Sequence, residues 1–113
     1  MADKITTLNR NTDFRRTYGR GKVFTNPALV SYVTKNRAGI CRVGITTSKK
    51  IGNAVERNRS RRVIRAAYRA AAPQVQGGWD IVFVARSKTK TLKSTQLEPI
   101  LLKHLKQAGV IPS

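Results

Sequence analysis

The sequence predicts a small α+β domain in which helices pack on one mixed β-sheet, in the order α-β-β-α-β-α. The 113 residues suit a single domain. Helical and strand-like apolar patterns follow one another along the chain, and turn-forming residues stand between them. We expect one domain over residues 1–113, with flexible termini at 1–8 and 110–113.

The first predicted element is a short helix. The polar residues at 12–13 can open a helix over 14–18, and two glycines then end it. Phe14 and Tyr18 stand four residues apart and therefore lie on one helical face.

Two strands are predicted next. Residues 23–34 favour β-structure, with a bend at 26–27 where a proline follows an asparagine. The loop over 35–39 contains a glycine and predicts a hairpin into a second strand over 41–47.

The longest predicted helix spans residues 54–72. Asn53 can cap it, and Glu56 stands where a capping box requires a glutamate. On a helical wheel one arc carries Asn58, Arg61, Arg62, Arg65 and Arg69. The opposite side carries Val63, Ala66, Ala67 and Ala70, with Ile64 and Tyr68 at the flank. The helix therefore has a basic face and an apolar face.

The C-terminal part predicts a buried strand and an amphipathic helix. Residues 80–85 form a short apolar run of the buried type. A helix over 96–108 follows, with Thr95 and Glu98 as a second capping box. Its apolar stripe consists of Leu97, Leu101, Leu105 and Ala108.

The charge predicts a polyanionic partner. Lys and Arg number 23 against five Asp and Glu, a formal net charge of +18, and such self-repulsion opposes compaction unless a partner offsets it. No apolar run approaches the roughly 20 residues of a membrane span, and the first residues do not resemble a signal peptide. One cysteine, Cys41, allows no internal disulfide. We expect a cytoplasmic protein without a membrane partner.

The basic residues concentrate on the long helix and just before it. Arg61 and Arg65 are like charges at i,i+4, which destabilises an isolated helix, and Glu56 is the one acid in this region. The planar fork of arginine suits bidentate contact with phosphate. We therefore predict that RNA is bound by Lys49, Lys50, Arg57, Asn58, Arg59, Arg61, Arg62, Arg65 and Arg69.

The stretch over residues 49–62, KKIGNAVERNRSRR, resembles the signature of the bacterial ribonuclease P protein component. In that signature an Arg-Asn-Arg core follows a Lys-Lys-x-Gly-x-Ala-Val lead. The resemblance extends over about residues 9 to 108. The family often carries an acid after the arginine that matches Arg65, where this chain has Ala66.

The resemblance implies a subunit that binds the catalytic RNA of ribonuclease P, in a 1:1 complex that removes the 5′ leader from precursor tRNA. It implies that the RNA holds the Mg²⁺ ions and performs the cleavage, so no catalytic or metal-binding residue is expected in the chain. Phe14, Tyr18 and Tyr32 match the family's leader-binding cleft. A left-handed β-α-β crossover is also implied, as in the second domain of a small-subunit ribosomal protein.

Other interpretations stay open. A ribosomal or other structural RNA-binding protein has the same composition and charge. A helix-turn-helix DNA regulator is disfavoured because no second helix stands close to the basic one. A stand-alone nuclease is disfavoured because the chain offers no catalytic triad or metal-binding cluster. Its acids are scattered singly, and the one histidine, His104, is expected to be structural. Phe14 and Tyr18 can also serve only to anchor their helix to the core.

Overall fold

The computed structural model describes residues 6–8 and 10–112. Its α-helices are α1 (Asn11–Arg20), α2 (Ala54–Ala71) and α3 (Ser94–Ala108), and its strands are β1 (Lys22–Asn26), β2 (Leu29–Lys35), β3 (Arg42–Thr46) and β4 (Trp79–Ala85). Short 3-10 turns cover Lys49–Ile51, Ala72–Gln74 and Ser87–Thr91. The α+β class is confirmed. The order is α-β-β-β-α-β-α, with one strand more than predicted, because the bend after Asn26 is a full turn that separates β1 from β2.

The four strands form one mixed sheet in the order β1-β2-β4-β3. β2 runs antiparallel to β1 and to β4, and β3 runs parallel to β4. The predicted hairpin between β2 and β3 is therefore wrong, because β4 lies between them. β4 takes the central position because it is the most apolar strand, with Ile81, Val82 and Phe83 fully buried. The left-handed sense of the β3–α2–β4 crossover stays a prediction.

Helices cover both faces of the sheet. On one face, α2 and α3 enclose a core that includes Phe83, and the predicted leucines Leu97, Leu101 and Leu105 are fully buried there. His104 joins this core, where its Nδ1 lies 2.8 Å from Ser31 Oγ. On the other face α1 crosses β2 and β4. None of the described helices is long and apolar enough to cross a bilayer.

The helix ends agree with the predictions in part. The capping box of Asn53 and Glu56 is confirmed in both hydrogen bonds. The second box was wrong: α3 begins at Ser94, so Thr95 lies inside the helix and cannot cap it. There the Gln96 side chain accepts a hydrogen bond from the backbone N–H of Lys93, at 2.9 Å. α1 is also longer than predicted and runs through Gly19 to Arg20.

Residues near both ends of the chain pack against the rest of the fold. Val110 and Ile111 are buried, and the Gln76 N–H donates to the Val110 carbonyl at 3.0 Å. Leu8 is buried as well, and its N–H donates to the Val43 carbonyl at 2.9 Å. Val110 and Ile111 join the core, while the flexibility expected of the termini stays a prediction. Residues 1–5 and 113 of that prediction lie outside the described residues.

Candidate nucleic-acid interface

Helix α2 carries a continuous cationic surface, which we call the arginine face. Its members are the exposed side chains Asn58, Arg61, Arg62, Arg65 and Arg69. The buried side of the helix consists of Ser60, Val63, Ile64, Ala67, Tyr68 and Ala71. Ala66 and Ala70 are exposed, contrary to the wheel prediction, because the helix turns the larger Ile64 and Tyr68 into the core. The basic arc itself is where the sequence placed it.

Two of the predicted arginines form hydrogen bonds to backbone carbonyls of the protein itself, and their RNA-binding role stays a prediction. Arg57 is half-buried and donates from Nη1 to the Gly52 carbonyl at 3.0 Å. Arg59 points away from the arginine face and donates from Nε to the Lys90 carbonyl at 3.0 Å. Both therefore hold neighbouring loops against the start of α2. Lys49 and Lys50 lie exposed in the 3-10 turn that precedes the helix.

The sequence interpretation missed two lysines beside this helix start. The 3-10 turn Ser87–Thr91 packs against α2 and against the turn at Lys49–Ile51. Lys88 is exposed on it, and Lys90 Nζ donates to the Ile51 carbonyl at 2.7 Å and contacts Glu56 Oε2 at 3.1 Å. The alternating lysines of the run SKTKT were the available signal.

Carboxylates do not neutralise the arginine face. Among the described residues no Asp or Glu forms an ion pair with Arg61, Arg62, Arg65 or Arg69. Glu56, the one acid of α2, accepts from the Asn53 backbone and from Lys90, which hold the pKa of its carboxyl below the ordinary value. Arg61 Nη1 donates to Asn58 Oδ1 at 3.0 Å, which orients that guanidinium without removing charge.

Three aromatic residues lie on the opposite face of the sheet, which α1 covers, and we call them the aromatic cleft: Phe14, Tyr18 and Tyr32. The Tyr18 and Tyr32 rings stand edge to face, with centroids 4.9 Å apart. Tyr18 remains 39% exposed, and its hydroxyl donates to Thr46 Oγ1 at 3.4 Å. Tyr18 and Tyr32 are in direct contact, Phe14 stands one helical turn before Tyr18 on α1, and the leader-binding role of the three residues stays a prediction.

Gly44 of β3 makes room for this cleft. A Cβ atom at position 44 would lie 2.6 Å from two ring atoms of Phe14, closer than real contacts allow. The Phe14 ring therefore rests directly on the strand backbone. Sequence reasoning gave Gly44 no role of its own.

A cluster of charged side chains, the ion network, fixes α1 to the sheet: Asp13, Arg16, Arg42 and Asp80. Asp80 is fully buried and accepts from Arg42 Nε at 2.8 Å, from Arg16 Nη2 at 3.2 Å and from the Asn36 amide. Burial alone raises the pKa of the Asp80 carboxyl, but hydrogen bonds from Arg42, Asn36 and Arg16 hold it below its ordinary value. Asp13 contacts Arg16 Nη2 at 2.7 Å. The sequence analysis had placed Asp13 at the start of the first helix. In the structure the N-cap of α1 is Arg10, and Asp13 lies inside the helix.

The remaining groups of possible chemical interest are engaged inside the fold. Within the described part of the chain no group of three or more His, Cys, Asp or Glu residues could hold a metal ion. His104 is buried beside Ser31, where burial, and then the nearby Lys103, lower its pKa. Burial raises the pKa of the Cys41 thiol, which receives a hydrogen bond from the Tyr68 hydroxyl at 3.4 Å.

Comparisons with known proteins agree in sequence and in structure. A family model described as Ribonuclease P matches residues 3–109. The chain is 39% identical over 104 residues to the ribonuclease P protein component of Clostridium botulinum (strain Loch Maree / Type A3), covering 91% of this chain and 94% of that protein. It is 42% identical over 105 residues to the Clostridium novyi (strain NT) component, with 91% and 93% covered. The Staphylococcus aureus RNase P protein structure matches with TM-score 0.82 and 34% identity, over 96% of this chain and 99% of that chain. The Thermotoga maritima RNase P protein matches with TM-score 0.78 and 28% identity, over 89% and 96%.

Proposed function

This chain belongs to the ribonuclease P protein family, and we propose that it binds the catalytic RNA through the arginine face and the 5′ leader of precursor tRNA through the aromatic cleft. Membership makes it the protein component of the holoenzyme that processes the 5′ end of tRNA, a ribonucleoprotein endoribonuclease. The relatives and structures favour this function over a ribosomal or other structural RNA-binding protein.

The arginine face is the observation that carries the proposal for the catalytic RNA. Four exposed arginines share one side of α2, and three of the described acids, Asp13, Glu56 and Asp80, are paired with other cations. The repulsion among these arginines is offset when they neutralise RNA phosphates, which then release their bound counterions. Such contacts position a protein on RNA without reading sequence, which suits a folded RNA recognised by shape.

The aromatic cleft supports the proposal for the leader. Stacking of an unpaired base on an aromatic ring contributes about 1–3 kcal/mol and tolerates any base. Tyr18 and Tyr32 offer partly exposed rings on the floor that α1 and the sheet form. A site of this kind accepts single-stranded leaders of different sequence, whereas mature tRNA has no leader to place there.

The chemistry of cleavage is proposed to belong to the RNA and its Mg²⁺ ions. The ion pairs of three acids support this proposal. Asp13 pairs with Arg16, Asp80 pairs with Arg42, and Glu56 pairs with Lys90, so these carboxylates already have cationic partners within the protein. The protein instead supplies cationic side chains where two RNAs approach, which screens phosphate repulsion and lowers the Mg²⁺ requirement. A 1:1 complex and a cytoplasmic location complete the proposal.

Reconstitution tests the proposed function. The pure chain is added to a ribonuclease P RNA at a Mg²⁺ concentration too low for the RNA alone, and precursor cleavage is measured. We expect the chain to restore cleavage. As a comparison, Lys103→Ala with Lys106→Ala removes two exposed cations that belong to α3 and not to the arginine face, and should retain this activity. No stimulation by the wild-type chain would refute the proposal.

Tyr32→Ala tests the aromatic cleft. Loss of one stacking ring should weaken binding of leader-bearing precursor about tenfold and leave mature tRNA binding unchanged. Affinities of the reconstituted holoenzyme for both RNAs give the answer. Equal losses of affinity for the two RNAs would refute the proposal that the aromatic cleft binds the leader.

A further inference from the structure

A pocket of about 170 Å³ opens between α2 and the edge strand β3, and we call it the α2–β3 pocket. It is lined by Thr7, Val43, Ile45, Arg61, Arg65 and Tyr68. We propose that it binds one unstacked pyrimidine nucleotide of the catalytic RNA, with the base against the apolar wall and the phosphate between the two arginines. This inference rests on the proposed function and adds a base-sized site to a surface that otherwise contacts phosphates.

The dimensions and chemistry of the pocket fit one nucleotide. Apolar cavities of about 150 Å³ accept a benzene-sized ring, so a pyrimidine fits in the α2–β3 pocket where a purine protrudes. Val43, Ile45 and the Tyr68 ring supply the apolar wall, while Arg61 and Arg65 stand at the rim. RNA-binding proteins recognise unstacked bases by this combination of apolar or aromatic contact with guanidinium groups.

The edge of β3 adds hydrogen-bonding groups. Val43 exchanges backbone hydrogen bonds with Thr6 and Leu8, so its N–H and C=O point away from β4. Ile45 is two residues further along the strand, and its backbone groups therefore point to the same edge. Among the described residues the bridge to Thr7 is the one pairing on that edge. In the part of the chain that the structure describes, no strand pairs with Ile45 on that edge, where its N–H and C=O point toward the α2–β3 pocket.

The position of the pocket selects the catalytic RNA over the leader. Val43 and Ile45 pair in register with Ile81 and Phe83, whose side chains face the α2 and α3 layer. The aromatic cleft lies on the other face, where Phe14 rests on Gly44. A leader in the cleft would have to wrap around β3 to reach the pocket, whereas RNA on the arginine face already borders it.

A pocket-filling variant tests the inference. Ile45→Phe places a ring where the base would lie and leaves both arginines in place. We expect affinity for the catalytic RNA to fall about tenfold, with an unchanged salt dependence because the number of phosphate contacts is the same. Ile40→Phe adds the same ring to an exposed site in the β2–β3 loop and should bind like wild type. Wild-type affinity in Ile45→Phe would overturn the inference.

A second measurement on the wild-type chain covers the case in which Ile45→Phe does not fold. UMP, AMP and inorganic phosphate are titrated while the methyl resonances of Val43 and Ile45 are followed by NMR. We expect UMP to shift these resonances more than AMP does, and phosphate alone to leave them in place. No shift with UMP, equal shifts with AMP, or equal shifts with phosphate would each overturn the inference.

The two proposals fail differently. If the chain restores cleavage in reconstitution but Ile45→Phe binds normally, the arginine face acts through phosphates alone and only the nucleotide pocket is lost. If the chain does not restore cleavage, the proposed function is lost whatever the titrations give.

Discussion

Arginines occur in two opposite settings in this molecule. In the ion network, Arg16 and Arg42 converge on Asp13 and on the fully buried Asp80, with nitrogen-to-oxygen distances from 2.7 to 3.7 Å. On the arginine face, Arg61 and Arg65 extend from α2 with no carboxylate paired to them in the described residues. The side chain is the same, and the supply of counter-charge differs.

The difference shows how function follows from the placement of a few acids. The sequence contains five acidic residues, and three of them, Asp13, Glu56 and Asp80, are bound in ion pairs that hold the fold together. Arginines that receive one of these acids become structural. Those that receive none, such as Arg61 and Arg65, keep their charge available to a polyanion, as the net charge of +18 predicts.

Breaking the ion network should have the largest effect. Asp80→Ala removes the shared acceptor of Arg16 and Arg42 and leaves two cations facing a buried site. We expect the free energy of unfolding to fall by about 3 kcal/mol, measured by urea denaturation. Glu98→Ala on α3 removes an acid outside any ion pair of the described residues and should cost less than about 0.5 kcal/mol. Similar losses in the two variants would contradict the structural role of the network.

The pH dependence sharpens this result. Because the folded-state pKa of Asp80 lies below its ordinary value, the stabilisation is present above the unfolded value of about 3.9. It is lost as pH falls through the folded-state pKa. The free energy of unfolding of the wild type should therefore decline as the pH falls below the unfolded-state pKa of about 3.9. Asp80→Ala should show a smaller decline. If the stability of the wild type and of Asp80→Ala fell equally with pH, a group other than Asp80 would be responsible for the acid sensitivity.

Removing unpaired arginines should affect binding and spare the fold. Arg61→Ala with Arg65→Ala is expected to weaken binding of the catalytic RNA at least about tenfold. The slope of log affinity against log salt should become shallower by roughly 1.5, from two lost phosphate contacts. Thermal unfolding should be unchanged or improved, since like charges at i,i+4 are removed. An unaltered salt slope would mean that these arginines do not reach phosphate.

Supplying the arginine face with its own acid should produce the smallest effect. Ala66→Glu places a carboxylate within one helical turn of Arg62 and Arg69, at the position where the family often has an acid. We expect a gain of about 0.3 kcal/mol in the free energy of unfolding and about a twofold loss in RNA affinity. Ala66→Gln keeps the shape without the charge and should show neither change. A gain in RNA affinity with Ala66→Glu would reverse the argument.

Local features of the chain were predictable from sequence. The limits of α2, its Asn53–Glu56 capping box and its basic arc depend on residues within a turn or two of each other. The wheel misjudged Ala66 and Ala70, because an ideal wheel does not show which large side chains a helix turns toward its neighbours. Ile64 and Tyr68 decided that rotation by entering the core.

Long-range features were not predictable in the same way. The insertion of β4 between β2 and β3 depends on pairing across the whole chain, and a glycine-containing loop gives no information about it. The ion network joins Arg16 and Arg42 to Asp80 across 64 and 38 residues of sequence, respectively. The α2–β3 pocket likewise arises where a helix and a strand edge meet. The aromatic cleft was anticipated only through the family resemblance.

The central position of β4 has a consequence for synthesis. Strand neighbours lie about 4.8 Å apart, so β2 and β3 stand about 10 Å apart in the finished sheet and are joined only through β4. A ribosome has already synthesised the whole of α2 before it makes residue 79. A nascent chain that stops there carries every arginine of the face but no completed sheet to present them. Premature termination would therefore yield cationic fragments that bind polyanions non-specifically. Only the complete polypeptide can hold these arginines on a folded surface.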